Sequence, residues 1–108
     1  MEPELIWIEI EETSDEIDQF NCNSDVIVKF NGGNRWIATF ITYKNIEKLV
    51  RDNRVSGECM KGQFFWASNM LLVESIDRKS VEKVVQYLLT KKDFEKVFAK
   101  IETLGLCF

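Results

Sequence analysis

Asp25-Val26-Ile27-Val28-Lys29-Phe30-Asn31-Gly32-Gly33-Asn34-Arg35-Trp36-Ile37-Ala38-Thr39-Phe40-Ile41 decides the fold. Val26, Val28 and Phe30 recur at period two, the spacing of a strand with one buried face. Asn31-Gly32-Gly33-Asn34 then offers the positive φ angles that tight hairpins need. Arg35 to Ile41 is again β-branched and aromatic. The segment predicts an antiparallel hairpin with strands at 25–30 and 35–41. The glycines belong to its turn rather than to a phosphate cradle, because the chain has no Gly-x-Gly-x-x-Gly or Gly-Lys-Ser/Thr pattern.

Towards the N-terminus, residues 4–11 alternate Ile6, Ile8 and Ile10 with Leu5, Trp7, Glu9 and Glu11. This predicts a strand whose outer face turns acidic toward its end. Residues 12–24 read as a polar loop, with helical turns around Asp15–Phe20. Towards the C-terminus, Thr42 is a helix N-cap. Ile46, Leu49 and Val50 predict a helix over 43–52, followed by a polar connection at 54–61. Gln63-Phe64-Phe65-Trp66-Ala67 predicts a strand, Ser68-Asn69 a turn, and Met70-Leu71-Leu72-Val73-Glu74 an apolar, central strand.

Ile76 and Val81 stand at the spacing of a hydrophobic staple across an Asp77 N-cap. Val81, Val84, Val85, Leu88 and Leu89 trace the clearest amphipathic helix. Phe94, Val97, Phe98 and Ile101 predict a last helix, capped by Asp93 and running to about Glu102. Gly105 marks its exit, and Leu106-Cys107-Phe108 reads as an apolar end docked on the body. The order β-β-β-α-β-β-α-α over 1–108 predicts a single α+β domain. Its architecture would be a two-layer sandwich, a mostly antiparallel five-stranded sheet with helices packed on one face.

With 108 residues, 45% apolar and 30% charged, the chain has room for one real core and is not disordered. It has no histidine, which removes Ser-His and Cys-His catalytic pairs and imidazole metal ligands. The odd cysteine count, at positions 22, 59 and 107 without a Cys-x-x-Cys spacing, predicts reduced thiols. Met1-Glu2-Pro3-Glu4-Leu5 lacks the basic start and apolar run of a secretory signal, so a cytoplasmic location is expected. No apolar run approaches a membrane span. Nothing arranges a pair of carboxylates for catalysis or a set of ligands for a cofactor or metal. A non-enzymatic chain without cofactors is expected.

Charge is the most informative feature. Residues 1–25 hold nine of the 18 acids and none of the 14 bases. The run Glu11-Glu12-Thr13-Ser14-Asp15-Glu16-Ile17-Asp18 has no glycine, unlike a dedicated calcium loop. Three readings of the acids stay open. They neutralise the basic body or form a solvated face, they gather a cation between clustered carboxylates, or they present a negative surface to a basic partner. On the last reading Glu9, Glu11, Glu12, Asp15, Glu16 and Asp18 steer and pair. Trp7, whose strand face continues into Glu9 and Glu11, is then the apolar anchor. The net charge of -4 disfavours direct nucleic-acid binding.

From Trp36 to Phe98 the chain resembles small bacterial immunity proteins of polymorphic-toxin systems. The resemblance lies in Trp36-Ile37-Ala38-Thr39-Phe40, Gly57-Glu58-Cys59, Gly62-Gln63-Phe64-Phe65-Trp66, Met70-Leu71-Leu72-Val73 and the helical tail through Asp93-Phe94. It implies a cytoplasmic inhibitor that blocks a cognate toxin, many such toxins being nucleases with basic surfaces. The matching positions are fold determinants, so no functional residue transfers. The alternative is a structural or homo-oligomeric protein without catalysis, joined through a sheet edge or the apolar C-terminus.

Overall fold

The structure, a computed structural model, describes residues 5–10 and 18–101. Strands β1 (Leu5–Ile10), β2 (Asn23–Phe30) and β3 (Arg35–Thr42) form an antiparallel meander. The expected hairpin turn joins β2 to β3, with Gly32 and Gly33 at φ of 102° and 92°. Helix α1 (Tyr43–Ser56) and a short turn, α2 (Glu58–Gly62), lead to β4 (Met70–Val73). Helix α3 (Arg78–Thr90), a single turn α4 (Phe94–Val97) and β5 (Ala99–Ile101) complete the described chain. The class is α+β. None of the described helices is long and apolar enough to cross a membrane.

The sheet is mixed: three of its four strand pairings are antiparallel, but one is parallel and its fifth strand is β5 rather than the expected one at 63–67, which corrects the expected architecture. Its path is β1-β2-β3-β4, four strands wide, and β4 lies parallel to β3. The parallel pairing follows from the long crossover through α1 and α2, because the expected strand at 63–67 does not form. That segment lies outside the sheet. One edge of β3 is taken by β2, and its other edge is divided between β4, along Thr39–Thr42, and β5, along Arg35–Ile37. β4 is therefore an outer strand rather than a central one.

The same division explains the C-terminal correction. Phe94, Val97, Phe98 and Ile101 do fit a helical period, but the helix stops after one turn. Phe98 adopts an extended φ of -93° and ψ of 145°. β4 leaves the backbone of Arg35–Ile37 without a partner, and Ala99–Ile101 supplies one. Asp93 heads the turn without a capping side-chain bond and instead pairs with Lys96 at 3.1 Å.

One face of the sheet carries the core. Val26, Val28 and Phe30 of β2 and Ala38 and Phe40 of β3 meet Ile76, Val81, Val85, Phe94 and Phe98. Phe94 is the hub of its rings: it stacks on Phe98 at 4.4 Å and meets Phe30 and Trp36 edge-on at 5.4 and 5.7 Å. Ile76 and Val81 are both buried on either side of the Asp77 N-cap, as the staple requires. Helices α3 and α4 thus cover this face. Helix α1 adds no side chain to the core cluster, and its Ile46, Leu49 and Val50 are half-buried.

After α1 the chain bends sharply. Cys59, Met60 and Lys61 all hold left-handed φ/ψ, near 52–59° and 41–48°, so α2 is a left-handed turn. Gly62, at φ 78°, closes it directly against α1. A Cβ built there would lie 2.8 Å from the Val50 carbonyl oxygen and 2.8 Å from Arg54 Cγ. The glycine is required both by its dihedral and by this approach.

Candidate partner-binding surfaces

The N-terminal candidate surface begins on β1, the outer strand at one side of the sheet. By register Trp7 stands opposite Lys29 and Glu9 opposite Ile27, with a β-bulge between Leu5 and Trp7. Ile10, opposite Val26, brings the strand toward the end of the sheet where β3 finishes. Glu11, Glu12, Asp15 and Glu16 lie outside the described residues. Asp18 is exposed; its carboxylate accepts from the Phe20 amide at 2.9 Å and its carbonyl accepts from the Asn21 amide at 2.9 Å. Asp18 therefore already has a local role in a turn.

The segment from Gln19 to Asn23 is fixed to that same end of the molecule. The Gln19 carbonyl accepts from the Ile76 amide at 2.8 Å. The Thr42 hydroxyl caps α1 by accepting from the Asn45 amide at 3.2 Å, and it also accepts from the Cys22 amide at 3.1 Å. The buried Asn45 side chain accepts from Asn23 Nδ2 at 2.8 Å and donates to Asn21 Oδ1 at 3.1 Å. One short stretch, Asn21–Asn23, is thus stitched to the first turn of α1. Sequence reasoning found the Thr42 cap but not the asparagine bridge. Its members are 22 and 24 positions apart and carry no periodic signal.

A second surface lies at the opposite side of the sheet. Leu72 of β4, with Tyr43, Val84 and Tyr87, lines an open groove of about 330 Å³ flanked by Glu74 and Lys83. Leu72 is 39% exposed and Tyr87 62% exposed. A third apolar feature is Met60, Phe64 and Trp66, all exposed, Trp66 to 69%. The sequence signal was the aromatic run itself.

Among the described residues no three His, Cys, Asp or Glu side chains gather into a metal site. Ser80 and Lys83 stand in a Ser-x-x-Lys spacing that sequence reasoning passed over. The Ser80 hydroxyl, however, sits 3.2 Å from that of Ser75, which donates to Asp77 Oδ1 at 3.1 Å. This is a capping cluster at the start of α3. Hydrogen bonding from Ser80 outweighs partial burial and holds the Asp77 carboxyl below the usual value, with help from Ser75 and the Lys79 charge. Comparisons with protein-family models, curated proteins and solved structures found no match.

Proposed function

We propose that this chain is a non-enzymatic binding protein of the immunity type. It acts stoichiometrically, covering a basic surface of a cognate toxin domain, such as a nuclease, with its acidic N-terminal region. The observation that carries the reading is the position of β1. The strand that opens the acidic region has no second strand partner among the described residues, which supports a partner docking there. Trp7 anchors the contact, and Glu9, Glu11, Glu12, Asp15, Glu16 and Asp18 steer it. Charge of one sign gathered in one region raises association rates with an oppositely charged partner and makes them fall with salt.

The ion pairs among the described residues, Lys48–Asp52, Arg78–Glu82 and Asp93–Lys96, each join neighbours three or four positions apart and are exposed. Such pairs contribute roughly 0–1 kcal/mol each.

The test is a tagged full-length chain used as bait in lysate of its source, at low and moderate salt. The captured protein is then purified and its association kinetics are measured. A basic partner bound one to one, with an on-rate that falls with ionic strength, is the expected result. The quadruple variant Glu11→Gln, Glu12→Gln, Asp15→Asn, Glu16→Gln should lower that on-rate and flatten its salt dependence. Unchanged affinity and on-rate in the folded variant would overturn the proposal.

A further inference from the structure

The two outer strands of the sheet are built differently. Outer strands expose backbone donors and acceptors that can recruit another strand, and proteins blunt them with charge, proline, bulges or cover. β1 has a bulge, carries Glu9 and leads into the acidic run. β4 reads Met70-Leu71-Leu72-Val73, with no charge, no proline and an unbroken register against β3. Its outer side has no strand partner among the described residues. Leu72, Tyr43 and Tyr87 surround it with exposed apolar area.

We infer that two copies of this chain pair antiparallel through β4 about a two-fold axis, joining their sheets into one. The charges beside the strand favour a second copy. The groove carries one acid, Glu74, and one base, Lys83, and neither is in an ion pair among the described residues. Under a two-fold axis any contact of Glu74 in one copy with Lys83 of the other occurs twice, which is the self-complementarity an isologous interface needs.

A four-residue ladder is a small contact, to which the exposed Tyr43, Leu72 and Tyr87 add aromatic and aliphatic area. The inference does not depend on the acidic region.

Sedimentation equilibrium of the full-length chain tests it, with circular dichroism reporting the fold of every variant. The expected result is a reversible dimer of twice the 12.7 kDa chain mass. Leu72→Lys, a charge placed on the strand, should weaken dimerisation by about tenfold or more. If that variant fails to fold, Tyr87→Glu on the exposed side of α3 takes its place with the same expectation. Glu74→Lys and Lys83→Glu should each weaken the dimer, and the double variant should recover it. A strict monomer at every concentration would overturn the inference. So would a dimer whose dissociation constant is untouched by both Leu72→Lys and Tyr87→Glu in folded protein, or one that the double charge reversal leaves as weak as the singles.

Discussion

Replacing Gly62 by alanine isolates the contact that holds the left-handed turn against α1. Gly33 is the internal reference. Both glycines have positive φ, 78° and 92°, but an added Cβ at Gly33 meets nothing within 4 Å. At Gly33 alanine incurs only the left-handed penalty of roughly 1–2 kcal/mol. The reduced freedom of the unfolded chain offsets about 0.4–1 kcal/mol of that. At Gly62 the same terms apply, and the new Cβ also stands 2.8 Å from the Val50 carbonyl oxygen. Arg54 Cγ can swing away, but a helix carbonyl cannot, so the turn itself must lift. A further cost of about 1–3 kcal/mol is expected, the range of overpacking. Urea unfolding of both variants, compared at equal m-values, gives the difference directly. The reverse substitution tests the same turn. Met60→Gly removes an exposed side chain at φ 53° and should be neutral or stabilising by up to about 1 kcal/mol. If Gly62→Ala costs no more than Gly33→Ala, the turn does not pack on Val50 and the reasoning fails.

Three further outcomes rest on single side chains. Asn45→Ala leaves Asn21 and Asn23 without their bridge and should cost about 1–3 kcal/mol by urea unfolding, with earlier amide exchange in 21–23. Phe94→Ala removes the hub of the ring cluster and should cost about 3–5 kcal/mol, a loss read as a large fall in the urea midpoint. For Asp77 the folded pKa lies below the ordinary aspartate value of 3.8, so its stabilisation is fully present above that value and is lost as pH falls through the folded pKa. Asp77→Asn should therefore flatten the acid limb of the stability-versus-pH curve, and wild-type and variant curves that stay parallel below about pH 4 would contradict the cap.

Local signals were legible wherever the sequence itself satisfies them. The Asn31–Asn34 turn, the Thr42 and Asp77 caps and the staple from Ile76 to Val81 each close within a few residues, and each is found as read. The misread elements needed information from elsewhere in the chain. Phe64 to Trp66 look like a strand, but they lie in irregular backbone between the left-handed turn and β4. Phe94 to Ile101 look like a helix until the unpaired backbone of Arg35–Ile37 is counted. The acidity of the N-terminal region was legible as composition, but the position of β1 at the end of the strand path came only from the strand order.

A single length mismatch links these corrections to the proposed dimer. β3 has eight residues and β4 four. Had β4 matched β3, the edge of β3 would have been filled, and the last apolar run could have stayed helical to Ile101. Instead β5 is drawn in to complete the edge. The result is a split outer side, with β5 bearing the exposed Lys100 and β4 bearing only apolar residues. Charge guards one half of that side and not the other. An aqueous surface built this way tends to bury the unguarded half. Lysine at Leu72 would extend to β4 the protection that β5 already has. Its effect on the dimer therefore tests whether the sheet's own geometry, rather than any dedicated motif, made the interface.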